Sequence, residues 1–463
     1  MNIKCVKEFD LKTEGIKQFA IVPVNMGEDK IAYLCVYSKD HVDPGEEFLY
    51  FPEDTMKFTL FDEAGNELWT KDLGKGVIPG VWFCPVLPLD LDKDGVDEIY
   101  FLNNLNPNAP FSMVNRRLEA LSPNNGETIG QWQWPLNTFN ERLSHSYRYY
   151  LVAGYSHGEP VLVTVQGTYG DVYIQGYGPG MIKKWDIKIP EEEKGPKGSH
   201  LTPVMDVNDD GVDELFWGER LISLETGEEI FCYDKSYNSH SDIIVPFVDY
   251  KTGRKYLFTT REGYEEIPPR VVTFDIDTGD VVWKALEEGH MHYGWIANMG
   301  DKKNLKRVAM AMRTIQRFGV NGYDVSGHEV HYFDALTGEV LELDFPFDGS
   351  DAMPIDINGD GISEFFCMRG EYAGTLFDQY GNVLFRMEGE FGAPRGGRIL
   401  SEILCEQIIL ILENGKVQIF ADTEAVGSEI FKFKNTYKGY HDFAEKLMAT
   451  GYNRIFCDSM CGI

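Results

Sequence analysis

The stretch VMDVNDDGVDELFWGERLISLETGEEIF, residues 204–231, contains every feature that decides the fold. Val204 and Met205 lead into an acidic turn, and the apolar run Leu215 to Trp217 returns from it. A second hairpin then turns over Thr226 and Gly227 and ends on an aromatic, Phe231. Alternating apolar residues about tight Gly/Asn/Asp turns read as two antiparallel strand pairs. The second hairpin recurs as LFDEAGNELW (60–69), TFDIDTGDVVW (273–283), YFDALTGEVLEL (332–343) and LFDQYGNVLF (376–385). Weaker copies are LEALSPNNGETIGQW (118–132), IQGYGPGMIKKW (174–185) and VQIFADTEAVGSEIF (417–431), which makes eight. The first pair recurs as VLPLDLDKDGVDEIYF (86–101) and PIDINGDGISEFFCM (354–368). Degenerate forms are LVAGYSHGEPVLVTV (151–165), VPFVDYKTGRKYLFTT (245–260) and IANMGDKKNLKRVAM (296–310).

Two strand pairs per unit, repeated roughly every 45–60 residues, mark a propeller blade. One sheet cannot bury both of its faces, so blades stack in a ring. The expectation is an all-β propeller of four-stranded antiparallel blades, eight in number, or seven if a terminal unit is incomplete. It occupies residues 1–432 as a single domain. Residues 433–463, with YKGYHDFAEKLMATGYNR, read as a partly helical tail packed on it.

Composition narrows the function. Lys plus Arg total 43 against 74 Asp plus Glu, a formal net charge of −31. Such a surface repels phosphate backbones and anionic lipid, so nucleic-acid and membrane partners are not expected. An anionic ligand would need a local cationic pocket. Most of the eight cysteines sit in apolar strand runs and read as reduced core thiols. Cys457 and Cys461 form a C-x3-C with nothing to complete a zinc site. The first residues, MNIKCVKEFDLKTEG, have no apolar signal core, which points to a cytoplasmic protein.

Three turns follow D-x-[DN]-x-D-G-x-x-E: Asp90, Asp92, Asp94 with Glu98; Asp206, Asn208, Asp210 with Glu214; and Asp356, Asn358, Asp360 with Glu364. Oxygen ligands at alternate positions around a glycine suit Ca²⁺, in a structural role because the motif belongs to the repeat. The same residues also make good β-turns without any ion.

Antiparallel pairing puts strand-1 starts and strand-2 ends on one face of the ring, opposite these turns. Strand-1 entries carry Trp82; His145, Arg148, Tyr149 and Tyr150; His200; His240 and Asp242; His290, His292 and Tyr293; then Asp348, Asp351, Arg395 and Arg398. Strand-2 exits carry Asn103, Asn104, Gln166, Tyr169, Glu219, Arg220, Arg261, Glu262, Arg313, Arg369 and Glu371. Five of the ten histidines fall at the entries. Arg grips carboxylates through its planar fork, His and Tyr move protons near neutral pH, and Trp82 and Tyr293 offer faces for sugar rings.

DLDKDGVDEIYF, RYYLVAGYSHGEPVLVTVQGTYGDVYIQGYG (148–178) and GSHLTPVMDVNDDGVDELFWGERLISLETGEEI (198–230) resemble the propeller polysaccharide lyases. These are the rhamnogalacturonan lyases and, more distantly, ulvan and rhamnosyl-glucuronate lyases. The resemblance runs from about residue 60 to 400. It implies β-elimination at a uronic acid of an anionic, rhamnose- and uronate-containing oligosaccharide. An Arg or a cation neutralises the C5 carboxylate, a His or Tyr takes the C5 proton, and another protonates the leaving oxygen. Tyr150 matches a Tyr of the ulvan-type relatives, but Gln166 stands where their Arg is expected. Their two early His positions are replaced near Trp82 and Phe83 and near Leu102 to Asn104. The candidate catalytic set is therefore Tyr150, His145, His200, His240 and His292. Arg148, Tyr169, Arg220, Arg261, Arg313, Arg369, Trp82 and Tyr293 are the candidate substrate contacts. The alternatives are a non-catalytic carbohydrate-binding propeller and a metal-dependent glycan hydrolase built on the His cluster.

Overall fold

The computed structural model describes residues 1–42, 50–80, 82–135, 143–262, 269–319, 322–392 and 394–436. Eight four-stranded antiparallel sheets follow one another along the chain. Their strands span 18–72, 86–133, 149–189, 204–232, 241–285, 290–341 and 352–386 for blades 1 to 7. In each of these seven the spatial order of strands is the chain order. The first strand of a blade is buried and mostly apolar: Ser241–Val248 is buried at every position. The fourth alternates toward solvent, as in Glu67–Asp72. A strand covered on both faces needs a continuous apolar run, whereas an outer strand needs only one apolar side.

Blade 8 departs from the sequence expectation. Its first three strands are Arg395–Gly397, Gln407–Ile411 and Lys416–Asp422, but the fourth is Ile3–Asp10 from the other end of the chain. Ile3 pairs with Asp422 and Asp10 with Lys416, and Asn2 N donates to Asp422 Oδ1 at 2.7 Å. The hairpin expected over 417–431 is therefore wrong in its second half. Residues Glu429–Thr436 form a helix, beginning before the expected tail boundary at 433. Residues 437–463, including Cys457 and Cys461, lie outside the described residues. Pairing the two ends closes the ring and removes the sheet edges an open ring would leave between its first and last blades.

In three blades an indole that ends the hairpin locks the blade to the next. Trp69 Nε1 donates to Pro123 O at 2.7 Å, Trp185 Nε1 to Leu224 O at 2.9 Å and Trp283 Nε1 to Ala335 O at 2.7 Å. In each case the acceptor lies in the hairpin turn of the following blade. The indole also covers that turn's glycine. At Gly227 (φ +75°) and Gly338 (φ +74°) a Cβ would come within 2.6 and 2.7 Å of the Trp ring. Only glycine meets both the left-handed turn and the close ring.

Trp283→Phe, which keeps a ring but loses the donor, is expected to cost about 1 kcal/mol. Trp283→Ala is expected to cost about 3–5 kcal/mol. Denaturant unfolding of the two variants checks the order, and no loss in Trp283→Phe would show that the inter-blade hydrogen bond contributes nothing.

Candidate active site

Blades 3 to 6 aim their strand ends at one place on the face opposite the acidic turns. Blade 5 supplies its centre. His240 is fully buried, with Nδ1 2.8 Å from Glu262 Oε2 and 3.5 Å from Asp242 Oδ1. Blade 6 adds His290, whose Nε2 lies 2.9 Å from Glu262 Oε1, and His292, whose Nδ1 lies 3.1 Å from Asp242 Oδ2. Blade 4 adds His200, with Nε2 3.8 Å from Asp242 Oδ1 and its ring 4.4 Å from that of His240. Blade 3 adds Tyr169, whose hydroxyl donates to Glu262 and sits 3.1 Å from His240 Nδ1. His145, on the one-turn helix Leu143–Ser146, stacks on Tyr169 at 5.2 Å. The Arg148 guanidinium lies over both Tyr169 (5.6 Å) and Trp82 (5.1 Å), and Trp82 packs on His200.

Local backbone irregularity does the aiming. The ladder of blade 5 slips between Ser241 and Ile243, and that of blade 6 between Met291 and Tyr293. Asp242 and His292 are thus the extra residues of two β-bulges, and they bond each other. A bulge re-aims a side chain that regular pleating would send elsewhere. Trp82 (φ +76°) and Tyr169 (φ +62°) adopt left-handed backbone, which is costly for bulky residues and concentrates at functional sites.

The electrostatics are sharply divided. Burial pushes His200 well below its ordinary range, against the opposing charge of Asp242, so the imidazole is neutral. Burial would raise Glu262, but hydrogen bonds from His240 and His290 outweigh it and hold the carboxyl well below its usual value. Asp242 is likewise held low against burial by the imidazoles of His200 and His292. Burial lowers His292, yet the hydrogen bond and charge of Asp242 bring it above its ordinary value. Tyr169 is raised well above by burial and by the Glu262 charge, so its phenol stays protonated.

The other candidates lie outside this network. The Tyr150 ring packs between Trp82 and Trp217, and its hydroxyl donates to Ser199 O at 3.1 Å. Four of the five arginines already hold carboxylates. Arg261 is bidentate on Glu219 (2.7 and 2.5 Å) and reaches Asp234; Arg220 holds Glu193 and Glu229; Arg313 holds Glu329; Arg369 holds Asp351. Tyr293 is buried in the blade 6 core, where burial raises its phenol. Asp242, Glu262 and His290 complete the network. Their strand-end positions were readable from the sequence, but nothing there distinguished them from structural residues.

The three acidic turns differ. At Asp90, Asp92 and Asp94 the carboxylates lie within 4.8 Å of one another, which fits a cation. In the second turn the Lys255 ammonium is bonded to Asp206 O, Val207 O and Asp209 Oδ1. In the third, the Asn358 amide donates to Glu364 at 2.7 Å. Each motif Glu turns back onto a backbone amide, Glu98 on Leu91, Glu214 on Val207 and Glu364 on Ile357. Burial and the neighbouring Asp charges push these three carboxyls up to about 7, 7 and 9.

No protein-family model matches the sequence, and no curated protein matches it. Solved structures do. The exotype rhamnogalacturonan lyase YesX superposes with a TM-score of 0.76 over 98% of this chain and 84% of its own, at 16% identity. A Bacillus licheniformis rhamnogalacturonan lyase gives 0.71 over 92% and 76%, also at 16% identity. Rhamnogalacturonan lyase YesW gives 0.72 over 97% and 77%, at 15% identity. The fold is that of the rhamnogalacturonan lyases. The likeness takes in 92–98% of this chain and 76–84% of the three lyases.

The depressed Glu262 gives a pH signature. Its charge stabilises the fold fully above its unfolded pKa of about 4.3, and that contribution is lost as pH falls through the folded value. The stability gap between wild type and Glu262→Gln should therefore be constant from pH 7 to about 5 and narrow below. Calorimetric melting across that range checks it, and a pH-independent gap would show that Glu262 is not ionised in the fold.

Proposed function

We propose that the chain is a lyase cleaving a uronate-containing glycan of the rhamnose–uronate type by β-elimination. One observation carries this reading: a neutral His and a protonated Tyr, His200 and Tyr169, flank the buried His240 in a propeller shaped like the rhamnogalacturonan lyases. Elimination needs a base and an acid held in opposite protonation states at one site. In the proposed reaction His200 takes the C5 proton. The C5–H electron pair becomes the C4=C5 double bond, and the C4–O bond breaks toward the leaving oxygen. Tyr169 protonates that oxygen, and His240, 3.1 Å from the hydroxyl, resupplies it. Arg148, whose guanidinium lies over Tyr169 and Trp82 beside the cluster, is the cation placed for the uronate carboxylate. Trp82, packed on His200 and under Arg148, forms the wall, and Tyr150 supports it from behind.

Incubation with rhamnogalacturonan oligosaccharides should raise the ultraviolet absorbance of the unsaturated uronate product. Tyr169→Phe and His200→Ala should each lower kcat/KM by about 10²–10⁴-fold, and Arg313→Ala should change it little. With a neutral His as base, the acid limb of kcat/KM should fall below the ordinary His value of about 6.5. Absence of product with all uronate-containing substrates would sink the reading.

A second reading rests on a different observation. Donor atoms of His200, His240 and Asp242, and separately of Asp242, His290 and His292, lie within 4.8 Å of one another. Imidazole and carboxylate donors together fit a divalent metal such as Zn, Mn or Fe. Bound there, it would supply positive charge for a substrate carboxylate or activate water for hydrolysis. We also assign a structural Ca²⁺ to the Asp90–Asp94 turn. Elemental analysis separates these proposals. Calcium lost on Asp92→Ala, with a lower Tm, supports the turn site. A stoichiometric transition metal lost on His240→Ala favours the metal reading over the His200–Tyr169 pair.

A further inference from the structure

The junction between blades 4 and 5 is built unlike its neighbours. Trp69 and Trp283 each lie four residues after a hairpin glycine, Gly65 and Gly279, and fill the gap to the next blade. At the corresponding position after Gly227 the chain has Phe231. Its ring still covers the next turn, since a Cβ on Gly279 would come within 2.1 Å of it. It carries no N–H, and the hydroxyl of Tyr233 makes the bond to Ile276 O instead, at 3.2 Å. The lock is thus divided between two smaller rings, and a groove of about 510 Å³ opens beside them. Sites for small ligands span about 300–1,000 Å³.

Leu221 and Ile276 line the groove as buried residues, while Ile230 (47% exposed) and Phe231 (40%) present apolar surface to solvent. Asn208, Asp209 and Asp277 supply the polar lining. The one cation, Lys255, is engaged by two backbone carbonyls and by Asp209, so its charge is neutralised within the wall. The groove therefore offers mainly acceptors, two carboxylates among them, beside an aromatic and aliphatic surface. An anion would meet the uncompensated charge of Asp277 as well as the −31 charge of the whole chain. A lipid chain would leave the carboxylates without donors. A neutral sugar meets both demands, with hydroxyl donors for the carboxylates and a C–H face for Phe231.

We infer that this groove, on the face opposite the His cluster, is a second binding site for a neutral saccharide residue. It is independent of whether the cluster performs elimination. Saturation-transfer NMR with methyl α-rhamnoside and methyl β-galactoside tests it, with galacturonic acid as the anionic counterpart. Wild type should bind at least one neutral glycoside through Phe231, and any binding of galacturonic acid should be independent of Phe231. Phe231→Ala and Phe231→Trp, the second of which places an indole in the groove, should each weaken binding by about tenfold or more. Phe231→Trp should keep or raise the Tm, which separates a filled groove from an unfolded blade. Tyr169→Phe should bind as wild type does. Silence from both neutral glycosides, unchanged binding in Phe231→Trp, Phe231-dependent binding of galacturonic acid, or loss of binding in Tyr169→Phe would each overturn the assignment.

Discussion

The hydrogen bond from Trp283 Nε1 to Ala335 O crosses a blade boundary, and its equivalents from Trp69 and Trp185 do the same. A single twisted sheet leaves two apolar faces, and only a neighbouring sheet can cover them. The indole solves two parts of this problem at once. It buries a large ring against the adjacent hairpin, and it satisfies a turn carbonyl that would otherwise face apolar surroundings. The geometry then restricts the partner turn to a left-handed glycine, which is why G-x-x-x-aromatic recurs down the chain. The pairing of Ile3–Asp10 with Lys416–Asp422 finishes what these contacts begin, because a ring held only by nearest neighbours still has two ends.

A rigid ring makes a strained centre affordable. The cluster holds two buried carboxylates, four histidines and a tyrosine, and such a network is stabilising only if its members are mutually satisfied. Glu262 bridges Tyr169, His240 and His290, and Asp242 bridges His200, His240 and His292. Glu262 offsets its burial with several donors, whereas Asp242 takes a hydrogen bond from His292 and has His200 and His240 at ion-pair distance. The two bulges and the two left-handed aromatic residues cost free energy locally. They persist because four blades, fixed by their own cores, hold the strand ends that carry them.

The fold was legible because its signal is repeated. Seven of the eight quoted hairpins are strand pairs within one blade, and the irregular copies at 118–132 and 174–185 could be read by analogy with the regular ones. The eighth failed for a physical reason. The sequence after Asp422 resembles the repeat, while the true partner strand lies more than four hundred residues away, and no local pattern encodes that pairing. The site was legible as a list of strand ends but not as a set of partners. A bulge at Asp242 or His292 leaves no mark on apolar alternation. Nor does the sequence say that Arg261 faces Glu219 rather than a substrate, since both residues sit at strand ends of adjacent blades.

Charge ties the two faces together. With 74 acidic residues the chain repels an anionic glycan at long range, although salt near 0.15 M limits that repulsion to about 8 Å. Attraction must therefore be short-range and desolvated. On the proposed reading Arg148, buried against Tyr169 and Trp82, meets that requirement: burial beside aromatic faces reduces screening of the guanidinium. The groove between blades 4 and 5 meets the opposite requirement, since a neutral ligand is indifferent to the field and answers to contact chemistry alone. A polymer alternating neutral and charged sugars presents both kinds of unit. On the proposed reading Arg148 would meet the charged unit at the mouth of blades 3 to 6, and the groove would meet the neutral unit on the far side.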